Sequence, residues 1–348
     1  MKTPLQLFAC VCMLVLGFVS QSARAGASDK KLDIYWNDTE GGAATLIVTP
    51  AGESVLIDSG NSGSRDAGRI FKTASEVAGL KKIDYLITTH FHADHFGGAA
   101  AISKLIPIGT VYDNGVFQGG HERPTEEYLT FKADQRLVLN PGDSIPLKQT
   151  YGSPAISLKC IAARQQFIAP RANARPHPEF EHARKKLADG SDNANSIVTV
   201  LSFGDFRVYL AGDLTWNMEA KLVYPVDLVG KVDVYQVTHH GLDQSNNPIV
   251  VKAIEPTVAI IGNGPSKGSE PHMFETLKSQ WSITGIYQIH KNLNGKGTNG
   301  PDEFIANLKP TEECDGNYIK LSTDPAAKSY VVSIPANKLE VKYSTSQK

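Results

Sequence analysis

Cysteine is scarce in this 348-residue chain: there are four, and Cys10 and Cys12 fall within the first 25 residues. So few thiols exclude the cross-linked framework of a small secreted protein. Cys160 and Cys314 form either a single disulfide or two free buried thiols, and neither sits in a metal-type cluster of the sequence. An excess of positive charge is also missing, since 35 Lys and Arg face 36 Asp and Glu. No global field therefore marks a nucleic-acid or anionic-membrane partner. Internal repeats, low-complexity tracts and a clear interdomain linker are absent as well. A composition 41% hydrophobic and 20% charged excludes intrinsic disorder and provides for a real core.

The one long apolar run, residues 5–19, follows Lys2 and precedes Ser22-Ala23-Arg24-Ala25, the small-x-small pattern that signal peptidase reads. It is shorter than the ~20 residues of a spanning helix. The expectation is a signal peptide over residues 1–25, cleaved after Ala25, and a periplasmic or secreted mature chain with no transmembrane segment. Without Lys2 and Arg24 the balance is 33 basic against 36 acidic residues, which disfavours extended duplex nucleic acid.

Beyond the leader, residues 32–37 alternate like a strand, and 44–49 with 54–57 read as a hairpin around Pro50-Ala51-Gly52. Helical spacing runs over 66–77 and 98–105, with a buried strand at 83–88 between them. Strands follow at 110–112, 136–139, 156–162, 196–202 and 206–211. Residues 164–195 are a long loop. Further strands at 232–237, 257–261 and 285–289 alternate with helices near 217–222 and 273–281. This order predicts an α/β fold of two mixed β-sheets with helices on the outer faces, an αββα sandwich. The domain spans 26–310, and 311–348 form a C-terminal β extension.

His90-Phe91-His92-Ala93-Asp94-His95 directly follows the strand at 83–88. Three imidazoles and a carboxylate at one strand end suit zinc and related borderline metals. Asp213 and the pair His239-His240 also end hydrophobic strands. A histidine pair of this kind is either a ligand source or a packing element.

The ordered set Asp58, His90-x-His92-x-Asp94-His95, Gly212-Asp213 and His240 resembles the metallo-β-lactamase-fold hydrolases. Asp192-Asn193-Ala194-Asn195-Ser196 and Thr238-His239-His240-Gly241 narrow the likeness to the hydrolase domain of bacterial DNA-uptake competence proteins and related phosphorylcholine esterases. The resemblance implies one or two Zn2+ ions, with Mn2+ or Fe as alternatives. His90 and His92 would bind the first ion, Asp94, His95 and His240 the second, and Asp213 both. Asp58 would orient a ligand. The implied reaction is hydrolysis by a metal-activated hydroxide, with Asp94 orienting the nucleophile and His239 protonating the leaving group. A further histidine usual in the superfamily is absent here, where Asn195 stands as a donor to substrate. His177 or His182 is a candidate replacement ligand.

Residues 164–186 hold six Lys and Arg against Glu179 and Glu181. This segment is either an anion-steering lid or a solvated loop. With the resemblance, it favours a phosphoester in a small-molecule or envelope-derived anionic substrate. The alternatives are a lactam or lactone hydrolase and a non-catalytic protein that binds metal or an envelope partner.

Overall fold

The computed structural model describes residues 26–117, 120 and 122–346. The expected signal peptide, its cleavage site and Cys10 and Cys12 lie outside the described residues. No helix of the described residues is long and apolar enough to cross a membrane.

Two sheets form the molecule. The first holds β1 (Asp33–Trp36), β2 (Thr45–Val48), β3 (Ser54–Ile57), β4 (Ile83–Ile87), β5 (Ile108–Asp113) and β6 (Gln135–Val138). The second holds β7 (Ile156–Ala163), β8 (Gln166–Phe167), β9 (Val198–Phe203), β10 (Phe206–Leu210), β11 (Val234–Gln236), β12 (Val258–Ile261), β13 (Gly285–His290) and β14 (Ile305–Asn307). The chain then returns to the first sheet with β15 (Ile319–Thr323), β16 (Ser329–Ile334) and β17 (Leu339–Ser344), in the order β17-β16-β15-β1-β2-β3-β4-β5-β6. The second sheet runs β14-β13-β12-β11-β10-β9-β7-β8. Both are mixed: hairpin-linked strands pair antiparallel, and strands joined through helices pair parallel, as in β3-β4-β5 and β10-β11-β12-β13.

Period-two alternation sorts the side chains between layers. Ile34, Trp36, Ile47, Val55 and Ile57 join Leu201, Val208, Val234 and Ile260 in the core between the sheets. Their neighbours Tyr35, Leu46, Val48 and Leu56 face outward, beneath α1 (Ser64–Lys72), α3 (Ala99–Leu105) and α4 (Glu126–Thr130). A short α2 (Ala93–Phe96) precedes α3. On the other outer face, Val200, Tyr209, Tyr235 and Ile261 meet α5 (Trp216–Lys221), α6 (Pro248–Ile254) and α7 (Pro271–Ser279). The result is the helix–sheet–sheet–helix stack expected from the sequence.

Details differ from the sequence expectation. The helix expected to Val77 is α-helical only to Lys72 and finishes in a π-helical turn over Thr73–Val77. Helices α4 and α6 were not anticipated. Yet α6 carries a legible start: the Asn247 side chain accepts from Ile249 N, and Pro248 occupies the first turn. Residues 311–348 supply β15–β17, whose Ile319, Leu321, Tyr330, Val332 and Ile334 enter the core between the sheets. Cys160 and Cys314 are both free thiols.

Candidate metal centre

The candidate residues lie where strands of both sheets end. The His90–His95 turn follows β4 and is fixed by two carboxylates from other segments. Asp58, just past β3, accepts from Thr89 N at 2.8 Å and from the Thr89 hydroxyl at 2.9 Å. Asp192 accepts from Phe91 N at 2.7 Å. Gly212 lets the end of β10 close on this turn, because its φ is +52° and a Cβ there would stand 2.7 Å from Thr89 Oγ1. His239 and His240, after β11, are non-glycine residues with φ of 54° and 56°. Such left-handed geometry costs roughly 1–3 kcal/mol and persists where surroundings impose it.

These segments converge on Asp213. Its Oδ2 lies 3.2 Å from His95 Nε2, 3.4 Å from His240 Nε2, 3.4 Å from His239 Nε2 and 3.9 Å from His90 Nε2. His95 Nε2 and His240 Nε2 are 3.2 Å apart, and Asp94 Oδ2 is 3.6 and 3.4 Å from them. His90 Nε2 meets His92 Nδ1 at 3.1 Å. Two donor groups result, Asp94–His95–Asp213–His240 and His90–His92–Asp213, sharing Asp213.

The tautomers decide whether a cation suits this cluster. His95 Nδ1 is 2.8 Å from Asp58, and His240 Nδ1 is 2.9 Å from the Gly262 carbonyl, so each Nδ1 carries the proton. Their Nε2 lone pairs then face one another and two carboxylates. His92 Nε2 lies 3.4 Å from Glu122, which leaves its Nδ1 lone pair toward His90. A buried knot of lone pairs and anionic oxygens is what a divalent cation relieves, so the residues fit one. Without a cation the knot collects protons. Burial disfavours imidazolium at His95, but Asp213, Asp58 and Asp94 outweigh it and hold its pKa well above the usual value. Burial would raise Asp213, but His95, His239 and His240 pull it well below the ordinary carboxylate range. Burial and then His95 push His90 well down.

Not every expected role survives this geometry. Asn195 does not face the site: its Nδ2 donates to Asp192 at 3.0 Å and its Oδ1 accepts from Gln165 at 3.2 Å. The residue that does is Asn193, whose Nδ2 is 3.4 Å from His239 Nε2 and which lines the adjoining cleft. A single turn of 3-10 helix over Asp192–Asn195 makes the exchange, turning the two amides to different sides. His239 is poorly disposed as an acid. Its Nδ1 is 3.2 Å from Ser245 Oγ, which itself donates to the Leu214 carbonyl, and burial lowers its pKa to about 4. His177 is no replacement ligand, being bound to Glu179 at 2.8 Å and stacked on Phe180, while His182 is exposed. Cys314, set aside as a metal ligand from sequence, does lie in a cluster of ligand-type side chains with Asp38 and His290.

A cleft of about 1000 Å³ opens beside the centre, lined by His92, Asn193 and Thr215 together with Arg184, Lys185 and Lys186. Of the six basic residues in the loop, these three reach the cleft. Arg164 instead holds the Asn114 carbonyl and the Asn140 side chain, and Arg171 and Arg175 line a different depression. Lys267, which sequence reading passed over, places Nζ 2.5 Å from Asp94 Oδ2.

A family model described as the metallo-beta-lactamase superfamily matches residues 38–264, more than half of the chain and all of the donors that converge on Asp213. The chain belongs to this superfamily. Competence protein ComA of Neisseria gonorrhoeae is 24% identical over 285 residues, covering 81% of this chain and 34% of that protein. This chain thus spans about a third of that curated relative. A UPF0173 metal-dependent hydrolase of Anaeromyxobacter sp. is 32% identical over 244 residues, 69% of this chain and 77% of that protein. Among solved structures, CmlA, a diiron beta-hydroxylase from Streptomyces venezuelae, is 17% identical with a TM-score of 0.41, covering 66% of this chain and 44% of that one. Within the superfamily assignment, the departure seen in sequence remains: no histidine stands at the 192–196 segment, and Asn193 presents an amide there.

Proposed function

We propose that this chain is a metal-dependent hydrolase of phosphoesters in a small or envelope-derived anionic substrate. The reading rests chiefly on one observation: the cleft beside the donor cluster is lined by His92 together with Arg184, Lys185 and Lys186. Guanidinium and ammonium groups suit phosphate oxygens. The leader-like residues 1–25 support export of the mature chain.

His90, His92 and Asp213 would hold one cation, and Asp94, His95, Asp213 and His240 a second. Zn2+ suits the imidazole and carboxylate donors, with Mn2+ or Fe as alternatives. When bound, such cations supply Lewis-acid stabilisation of developing negative charge and lower the pKa of water. The chain's own residues do the positioning. Asp58 keeps His95 in the tautomer that offers Nε2. The Asn193 amide, which lines the cleft, is a neutral donor for a substrate oxygen. Arg184 and Lys185 are exposed and meet incoming anions, while Lys186 lies with Nζ 3.7 Å over the Trp216 ring and bonded to the Asp243 carbonyl.

The test is hydrolysis of a chromogenic phosphodiester and of a chromogenic lactam by protein loaded with Zn2+ or Mn2+. Expected are turnover of the phosphodiester, none of the lactam, and, in Asp213→Ala, loss of turnover with about two ions fewer per chain than the parent. Lactam opening without phosphodiester turnover overturns the substrate class. A metal-loaded protein inert to both favours a binding role.

A further inference from the structure

A second set of ligand-type side chains meets outside this centre, where the loop after β1, the end of β13 and the connection between β14 and β15 touch. Asp38, His290 and Cys314 each offer one donor atom, and the three atoms lie within 4.8 Å of one another. Asp38 and His290 are fully buried, and Cys314 is half-buried. Cys314 Sγ donates to Asp38 Oδ2 at 3.1 Å.

The decisive atom is His290 Nε2. His290 Nδ1 lies 2.9 Å from the Lys291 carbonyl and so carries the proton. Nε2 is left as a lone pair with no hydrogen-bond partner among the described residues. A buried acceptor next to a carboxylate and a thiol is unfavourable until a donor or a cation reaches it. The groups behind the cluster resemble those that position metal ligands, with the imidazole oriented by a carbonyl and the carboxylate held in place. Glu40 N donates to Asp38 Oδ1 at 2.9 Å, and Arg69 reaches Oδ2 at 3.3 Å. Arg69 is also 2.9 Å from Glu40, and Arg65 is shared between Glu40 and Asp66, so three carboxylates face two guanidinium groups and no surplus positive charge opposes a cation. A cavity of about 190 Å³, lined in part by Cys314, Asn307, Asp315 and Asn317, borders the cluster at Cys314.

We propose that Asp38, His290 and Cys314 form a separate site for a thiophilic divalent cation, Zn2+ foremost. The sulfur–metal bond forms as the thiol proton leaves to solvent, with no change of oxidation state. Nitrogen, sulfur and carboxylate oxygen together select zinc-like ions over Mg2+ or Ca2+. The site joins three segments: Asp38 from the first sheet, His290 from the second and Cys314 from the passage to β15–β17. Ion binding there fastens the C-terminal strands to both sheets. It also lies close to the centre already described, because the His290 carbonyl accepts from Asn263 at 2.6 Å and Gly262 next to it holds His240.

Cobalt substitution tests this independently of any activity. The Asp213 centre offers only nitrogen and oxygen donors, so a near-ultraviolet sulfur-to-Co(II) charge-transfer band reports a thiolate site, while the part of the visible d–d absorption and of the metal count that Asp213→Ala removes reports the centre. The full chain, stripped and refilled with Co2+, is expected to show the band. Cys314→Ser should lose it and His290→Ala diminish it, both retaining d–d absorption from the Asp213 centre, and Cys160→Ala should keep it. With zinc, Cys314→Ser should bind about one ion fewer per chain. Absence of the band from the parent at saturating cobalt overturns the proposal, whether or not d–d absorption appears. A band that survives in Cys314→Ser overturns it as well. Failure at the Asp213 centre shows separately, as a metal count and d–d absorption that Asp213→Ala leaves unchanged while the band is retained.

Discussion

At the scale of single residues, charge burial sets what each group can do. Asp58 touches no substrate, yet it selects the His95 tautomer through a 2.8 Å contact and anchors Thr89. Asp58→Ala is expected to weaken metal binding by about 10- to 100-fold, as removal of such orienting partners does. Competition against a chromogenic chelator measures it, and unchanged affinity removes Asp58 from the site. Glu219 is fully buried behind the His239-His240 turn. Burial raises its carboxyl to about 7, against the downward pull of the Asn247 and Asn246 amides and the Thr238 hydroxyl. Below its ordinary value of 4.5 both folded and unfolded chains hold the proton. Between that value and about 7 only the folded chain keeps it, so stability falls as pH rises through this window. The full penalty is on the order of 3 kcal/mol. Glu219→Gln should therefore match the parent in acid and exceed it at slightly alkaline pH. Urea unfolding of both proteins across the window gives the difference, and parallel pH profiles refute the assignment.

At the scale of elements, the basic segment 184–187 has no regular structure of its own and takes its order from α5. The Asn217 side chain accepts from Lys186 N at 3.0 Å and donates to the Lys186 carbonyl at 2.7 Å, while Trp216 Nε1 donates to the Arg184 carbonyl at 2.7 Å. A two-bond clamp from one amide replaces the missing sheet pairing. Asn217→Ala removes about 1 kcal/mol of loop order, so KM for an anionic substrate should rise about fivefold. Metal content and kcat should stay near the parent values. A variant with unchanged KM and unchanged proteolytic sensitivity at 184–190 places this segment outside substrate binding.

For the whole molecule, the C-terminal strands complete the sheet that carries β3 and β4. Strand β15 pairs along the full length of β1, and Tyr330 and Val332 of β16 are buried in the core between the sheets. A chain ending at residue 310 would expose β1 as a flat apolar edge and open that core. It is expected to lose cooperative thermal unfolding and near-ultraviolet circular dichroism, and to aggregate. The milder Tyr330→Ala should fold but lose on the order of 3 kcal/mol. A soluble, cooperatively folding 26–310 fragment would show the last three strands to be dispensable.

Much of this molecule could be read from local pattern. Apolar runs marked the central strands because both their faces are buried, and His90, His92, Asp94, His95, Asp213 and His240 stood out because each follows a hydrophobic strand. Strand ends at one rim of a sandwich bring such residues together whatever the connecting loops do. Tertiary structure alone chose between Asn193 and Asn195, two residues apart in an irregular segment where no periodicity assigns a face. It alone brought Cys314 to Asp38 across 276 positions, through the return of β15 to the edge of β1. It also turned His239 into a neutral acceptor and ordered the basic loop, since burial and hydrogen-bond partners are properties of packing. The sequence by itself determined the ligand types and the layered fold, because both follow from residue chemistry and short-range period. Which nitrogen, amide or thiol faces which neighbour was decided only when distant segments closed on one another.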